Sequence, residues 1–178
     1  MLLGLGAVGG AALARWSFPA LAADDGPGHE ARLKALGIEL PKVAPSRATL
    51  VPTARVGETL YVSGHIPTRA GKPVVGKLGK DTTTKEGAKI AREVGLIILS
   101  VVRAELGSLD KVVRLVKTLG MVNCTPDYTE TPLVVNGFSD LMVEVFGDKA
   151  GKGTRSAVGM VSLPLGVAVE VECVFQVK

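Results

Sequence analysis

Residues 153–172 read GTRSAVGMVSLPLGVAVEVE, and this stretch decides the fold. Its second half alternates strictly, which places Val169 and Val171 on one side of a strand and Glu170 and Glu172 on the other. The sequence LPLG in the middle contains the proline and glycine of a turn, so we expect two strands that meet there. The apolar side of the second strand, with Val169 and Val171, is expected to face a hydrophobic core that helices cover. The other side places two carboxylates on an otherwise apolar strand.

The two carboxylates require a partner or a ligand, because a carboxylate shielded from water costs free energy unless it is paired or hydrogen-bonded. Arg155 lies in the first half of the stretch and is the candidate partner for Glu170 or Glu172. These residues alone leave two interpretations open. The charges form a structural ion pair, or they face a small polar ligand together.

The length and composition indicate one globular domain with a core. The chain has 178 residues, of which 47% are hydrophobic and 21% are charged. Aromatic residues make up only 4%, and the Lys and Arg residues behind the net charge of +4 are scattered along the chain. Nucleic-acid binding is therefore disfavoured, because it relies on stacking aromatics or dense basic patches.

The N-terminal residues 1–23 form a separate segment rich in Gly, Ala and Leu. Its apolar run of about a dozen residues is too short to span a bilayer, and an Ala-x-Ala sequence follows it. This pattern predicts a cleavable export signal, with an uncleaved extension as the alternative. We expect a periplasmic location if the signal is functional and a cytoplasmic location otherwise. Residues 47–178 are interpreted as the folded domain. Residues 24–46 are interpreted as a linker with a short helix, whose Leu33 and Leu36 could pack on that domain.

Hydrophobic periodicity and the residues typical of helix and strand ends predict the secondary structure of the domain. Two strands over 49–56 and 59–63 form a hairpin, and 68–79 is a loop. Helices are predicted from the capping sequence Thr83-Thr-Lys-Glu86 to Gly107, and from Thr131-Pro132 to Gly147 with a loop over 148–153. A strand over 111–123 lies between the helices.

The order β-β-α-β-α-β-β predicts a two-layer α+β domain, with a mixed sheet and two helices on one face. The other face is semi-apolar and includes Val158, Ala168 and Val174. Such a face is usually covered by another subunit, so we expect a closed homo-oligomer.

The sequence contains no Cys/His cluster and no set of nucleophile and base, so neither a metal nor another cofactor is predicted. Cys124 and Cys173 are interpreted as small buried hydrophobic residues. A disulfide between them is the alternative if the protein is exported. His65 is interpreted as a histidine at a strand end. The hydroxyls of Ser63 and Ser156 are expected to bond the backbone.

Several segments together resemble the Rid family, which is also called YjgF or endoribonuclease L-PSP. They occur in the family's order from about residue 33 to the end of the chain. They are SGHIP at 63–67, GSLDKVV at 107–113, VNG at 135–137, TRSAV at 154–158, LP at 163–164 and EVE at 170–172. The segment NGFSDL at 136–141 resembles a less characterised branch of that family.

The resemblance implies a chorismate-mutase-like fold, homotrimers and clefts between adjacent subunits. It also implies hydrolysis of small 2-imino or enamino acids to 2-keto acids and ammonia. Arg155 would bind the substrate carboxylate and Glu170 would act on the attacking water. Asn136, Ser63 and Gly64 would line the substrate site.

Two positions depart from the deaminases of this family. Leu50 stands where they have a tyrosine, and Ala157 stands where they have a cysteine. The alternative function is therefore a non-catalytic trimer that binds small carboxylates. The ribonuclease activity in the family's name is disfavoured by the low aromatic content and the dispersed charge.

Overall fold

The computed structural model describes residues 28–42 and 49–178. Within them the chain forms helices α1 (His29–Ala35), α2 (Thr84–Leu106) and α3 (Thr131–Gly151), and strands β1 (Thr53–Val56), β2 (Thr59–His65), β3 (Thr68–Arg69), β4 (Lys72–Pro73), β5 (Val112–Asn123), β6 (Thr154–Met160) and β7 (Val169–Val177). The predicted export signal over residues 1–23 and parts of the predicted linker lie outside the described residues.

Five strands form the main sheet in the order β1-β2-β7-β5-β6. Strand β5 pairs antiparallel with β7 and parallel with β6, and α2 and α3 pack on one face of this mixed sheet. The predicted two-layer α+β fold is confirmed. The short pair β3-β4 forms a hairpin inside the segment that was predicted to be a loop.

The predicted pairing of β6 with β7 is wrong, because β5 lies between them. The connection with the turn at 163–166 crosses from one side of β5 to the other instead of closing a hairpin. The turn itself has the expected chemistry, since Leu165 and Gly166 adopt positive φ angles of 57° and 70°.

The helix ends follow the signals in the sequence, except that α3 continues beyond Gly147 and that Thr131, expected as its cap, lies inside the helix. The hydroxyl of Thr83 accepts a hydrogen bond from the Glu86 amide at the start of α2, and Gly107 ends that helix with φ of 80°. In α3, Gly147 breaks the helical backbone as predicted, but 148–151 return to helix where a loop was expected. None of the helices in the described part of the chain is long and apolar enough to cross a bilayer.

The two main helices approach each other closely at Gly137 of α3. A Cβ atom at this position would lie 1.8 Å from the backbone oxygen of Ala88 on α2, so only glycine fits there without moving a helix. The core around this crossing includes the fully buried side chains of Phe138, Phe146 and Phe175. The glycine thus sets how α3 lies against α2 and the sheet.

Helix α1 is attached to the body of the domain through Glu30. Its carboxylate accepts from the Leu109 amide at 3.0 Å and from Arg103 at 3.4 Å. Leu33 is buried in the core, as expected, whereas Leu36 is 47% exposed and does not pack as the sequence suggested. The described part of the predicted linker is therefore packed on the domain rather than separate from it.

The sheet face opposite α2 and α3 exposes apolar side chains, including Tyr61 at 50% and Val158 at 38% exposure. Ala168 was predicted to belong to this face, but it is fully buried in the core. Its amide bonds the Val74 carbonyl, which shows that the segment before α2 covers it.

Candidate functional site on two faces of the sheet

Arg155 lies on the helix-covered side of the sheet, near its β6 edge. It is in register with Thr118 of β5, which in turn is in register with Cys173 of β7. Thr118 and Cys173 are both buried. Paired residues of adjacent strands project to the same side, so Arg155 projects toward α3 and not toward the open face.

The side chain of Arg155 is held by two neutral oxygens of α3. Its Nη1 donates to Oδ1 of Asn136 at 2.8 Å and to Oγ of Ser139 at 3.0 Å. Within the described residues Arg155 forms no ion pair, whereas Arg69 pairs with Glu93 and Arg92 with Glu144. The charge of the exposed Arg155 is therefore not neutralised by a carboxylate. We call Arg155, Asn136 and Ser139 the arginine half-site.

Glu170 lies on the opposite, open face of the sheet. It is in register with Met121 of β5, three positions after Thr118, so the two rows project to opposite sides. The side chain is half-buried, and this burial raises the pKa of its carboxyl above the usual range. The neighbouring charge of Glu172 raises that pKa further. Glu170 therefore holds its proton more tightly than an exposed carboxyl.

Gly64 lies directly against the carboxyl group of Glu170. A Cβ atom at position 64 would be 2.1 Å from Oε1 of Glu170, so no side chain fits while this carboxyl keeps its place. The pairing of β2 with β7 is interrupted between Val62 and His65, which places Gly64 in a bulge. We call Glu170, Gly64 and Ser63 the glutamate half-site.

Ser63 donates its hydroxyl hydrogen to the carbonyl of Val51 at 2.6 Å, which confirms the predicted backbone bond. Its oxygen can still accept a hydrogen bond. Ser63 also lines a shallow cavity of about 230 Å³ on the open face, together with Tyr61, Lys117 and Glu172. The open face thus carries both signs of charge around this cavity.

The structure brings the predicted site residues together in two groups that do not meet within one chain. Asn136 contacts Arg155, and Gly64 adjoins Glu170. The ion pair of Arg155 with Glu170 or Glu172, expected as one interpretation of the sequence, is absent within the described residues because these side chains project from opposite faces. For the same reason Arg155 and the two glutamates of one chain do not face a small ligand together, which was the other interpretation.

Ser139 is the residue of the arginine half-site that the sequence reasoning missed. It follows Asn136 by three positions on α3, a spacing that puts two side chains on one face of a helix. That spacing was the available signal. It could not be used without knowing that β6 lies beside this face of α3.

His65, the two cysteines and Leu50 belong to neither half-site. His65 lies at the end of β2 as predicted, and its Nδ1 is 2.7 Å from the Ser63 carbonyl oxygen. Burial lowers the pKa of this imidazole and so favours its neutral form. Cys124 and Cys173 are both buried free thiols and form no disulfide. Leu50 is 56% exposed ahead of β1.

A second, larger cavity of about 500 Å³ lies between the start of α2 and the segment over 74–82. Lys77 lines it and donates to Oδ1 of Asn123 at 2.9 Å and to the Val161 carbonyl at 2.7 Å. Its other charged lining residues include Asp81 and Glu86, so the charge is mixed. No group of three or more His, Cys, Asp or Glu side chains within 28–42 and 49–178 could hold a metal ion.

Comparisons with known proteins cover most of this chain. Residues 30–175 match the family model described as "YjgF/chorismate mutase-like, putative endoribonuclease". Protein TCP17 of Trypanosoma cruzi is 41% identical over 149 residues, which are 83% of this chain and 93% of that protein.

Two solved structures share both the fold and considerable sequence identity. Atu1372 of Agrobacterium tumefaciens, a protein of unknown function, has a TM-score of 0.77 at 38% identity, with 84% of this chain and 92% of that chain covered. A candidate endoribonuclease of Shewanella oneidensis has a TM-score of 0.80 at 31% identity, with 85% of this chain and 100% of that chain covered. The region matched by the family model contains both half-sites.

Proposed function

Since the chain belongs to the YjgF/endoribonuclease L-PSP (Rid) family, we propose that it hydrolyses small 2-imino or enamino acids to 2-keto acids and ammonia. The observation that carries this proposal is the environment of Arg155. Its guanidinium is exposed, fixed by neutral oxygens and not neutralised within the described residues. Such a group is suited to bind a carboxylate, because its planar fork matches the two carboxylate oxygens.

The site would be shared between two subunits of a homotrimer. Arg155 and Glu170 project from opposite faces of one sheet, so a site that needs both takes the arginine half-site from one subunit and the glutamate half-site from another. The exposed apolar side chains on the open face, such as Tyr61 and Val158, support burial of that face against another subunit. A closed ring of three identical contacts satisfies both requirements.

In this site each half would perform a separate part of the reaction. Arg155 would bind the substrate carboxylate and so align the imine carbon for attack. Glu170 would accept a proton from water while the water oxygen bonds to that carbon, and would then pass this proton to the imine nitrogen to complete the addition of water. Collapse of the resulting carbinolamine breaks the C–N bond and releases ammonia and the 2-keto acid. General-base assistance of this kind typically contributes about 10²- to 10⁴-fold.

A second candidate function is a trimer that binds small carboxylates without catalysis. Leu50 favours it, because the resemblance implies that the deaminases have a tyrosine at this position, so this chain lacks the tyrosine hydroxyl. The arginine half-site does not depend on that hydroxyl, so binding would persist without turnover. Ribonuclease activity is disfavoured because three of the arginines in the described residues are already paired with carboxylates.

The test is a coupled reaction in which an amino-acid dehydratase or oxidase generates the imine and the release of keto acid is timed. We expect the wild-type protein to accelerate that release and both Arg155→Ala and Glu170→Gln to abolish the acceleration. Arg69→Ala is the control, since this arginine pairs with Glu93 outside both half-sites. Binding of pyruvate without acceleration would favour the second candidate, and neither binding nor acceleration would overturn both.

A further inference from the structure

We propose that Ser139 is a positioning residue that selects the edge of the Arg155 guanidinium presented to a carboxylate. The inference rests on the proposed role of Arg155 as the carboxylate-binding group. Ser139 belongs to the segment NGFSDL that carries part of the family resemblance, but that resemblance gave it no role. The pair of hydrogen bonds that α3 makes to a single nitrogen of Arg155 is the basis for this role.

The hydrogen bonds occupy one end of the guanidinium and leave one edge available. Nη1 carries two hydrogens, and it donates to both Asn136 Oδ1 and Ser139 Oγ. An arginine can grip a carboxylate in parallel through Nη1 and Nη2 or through Nε and Nη2. With both hydrogens of Nη1 engaged, only the edge formed by Nε and Nη2 can bind a carboxylate bidentately.

A neutral acceptor at position 139 also preserves the charge of Arg155. Where an arginine of α2 meets a glutamate of α3, as Arg92 meets Glu144, the carboxylate takes both terminal nitrogens of the guanidinium, at 2.6 and 3.0 Å. A carboxylate at position 139 would occupy Arg155 in the same manner and repel an anionic ligand. The serine hydroxyl fixes the guanidinium without competing for its charge.

Loss of the hydroxyl should weaken binding more than folding. Arg155 is exposed, so water can satisfy the hydrogen of Nη1 that Ser139 releases, and the cost in stability is small. The guanidinium then loses one of its two fixed contacts and the orientation that they impose. The expected signature is a raised KM with a nearly unchanged kcat, because the carboxylate contact is made in the ground state and in the transition state.

The experiment measures pyruvate binding by calorimetry and imine hydrolysis by the coupled assay, on the full-length protein. We expect Ser139→Ala to raise Kd and KM by about 2- to 10-fold, with kcat changed less than twofold. Ser139→Thr should restore both constants, and Ser139→Asp should abolish pyruvate binding. Ser100→Ala is the matched control, since this helix serine bonds the Leu96 carbonyl within α2.

The outcomes separate this inference from the proposed function. Wild-type binding and turnover with an unchanged Ser139→Ala variant would overturn only the role of Ser139. Pyruvate binding that depends on Ser139 without any turnover would support the positioning role and overturn the deaminase. A wild-type protein that neither binds pyruvate nor accelerates imine hydrolysis would overturn both, and a Ser139→Thr variant as weak as Ser139→Ala would overturn the positioning role alone.

Discussion

Arg155 and Glu170 project from opposite faces of the same sheet, Arg155 toward α3 and Glu170 toward the open face. Their rows differ by three positions along β5, an odd number, and alternate residues of a strand point to opposite sides. One chain alone therefore cannot place both side chains on one small substrate.

Inactive variants should complement each other when their subunits are mixed. Arg155→Ala and Glu170→Gln are each expected to be inactive as pure oligomers. After unfolding and refolding of an equal mixture, the coupled assay should recover roughly a quarter of wild-type activity, because random assembly pairs an intact arginine half-site with an intact glutamate half-site in that fraction of clefts.

The control for complementation is the double variant that carries both substitutions in one chain. When this double variant is mixed with wild type, only the clefts between two neighbouring wild-type subunits should be active. No recovery in the mixture of single variants, while wild type refolds to full activity under the same conditions, would contradict the shared site.

The substitution Gly64→Ala should reduce activity without unfolding the protein. The new methyl group would lie 2.1 Å from Oε1 of Glu170, and the end of this flexible side chain is the atom that must move. Displacement of a catalytic group by about 1 Å can cost up to about 100-fold, so we expect kcat/KM to fall by roughly 10- to 100-fold. Thermal unfolding should change little, because Gly64 is exposed. A wild-type kcat/KM would show that the position of this carboxyl is unimportant.

The acid limb of the pH–rate profile should depend on Glu172. Burial and the charge of Glu172 both raise the pKa of Glu170, so its basic form predominates only above the usual carboxyl range. Activity should therefore fall as the pH decreases through this raised pKa, and Glu172→Gln should move the fall to lower pH. Glu144→Gln is the control, since this carboxylate pairs with Arg92 on the helices. An unmoved limb in Glu172→Gln would assign it to another group.

The raised pKa of Glu170 also predicts a pH dependence of stability: activity should rise with pH, whereas the contribution of this group to stability should fall. A carboxyl whose pKa is raised by folding keeps its proton in the folded state at a pH where the unfolded chain has released it. The contribution of Glu170 to the free energy of unfolding should therefore be favourable below the usual carboxyl range and decline as the pH rises through the raised pKa. Urea unfolding of wild type and Glu170→Gln across this window measures it, and parallel pH dependences would contradict the assignment.

The substitution Gly137→Ala should destabilise the fold rather than affect the chemistry directly. Its methyl group would lie 1.8 Å from the Ala88 backbone oxygen, so the two helices must separate. Overpacking of this kind typically costs about 1–3 kcal/mol. Gly87→Ala is the matched control, because its methyl group meets the Leu78 and Val134 side chains, which can shift. Urea midpoints that are equal for the two variants would contradict the close helix contact.

Local patterns in the sequence predicted much of this fold because their causes are local. The alternation along β7 gives buried Val171 and Cys173 and more exposed neighbours, since period-two patterning follows directly from strand geometry. Thr83 and Gly107 mark the ends of α2 because capping involves only neighbouring residues. The same logic predicted the turn around Leu165.

The site could be predicted only in part, because its geometry depends on strand pairing. Asn136 and Gly64 were placed in the site by resemblance to the family, and the structure adds that they contact Arg155 and Glu170 respectively. Ser139 was missed, since its partner lies 16 residues away on a strand. Nothing local in a sequence specifies which strand lies beside which helix face.

The sequence by itself determined the types and ends of most elements, the apolar side of each strand and the presence of an arginine and two glutamates near its end. Only the tertiary structure decided that β5 enters between β6 and β7, and this insertion separates Arg155 from Glu170. The physical reason is that periodicity records which side of a strand is buried, whereas the neighbour of that strand is chosen by long-range packing and register. Which face each charge occupies follows from that choice.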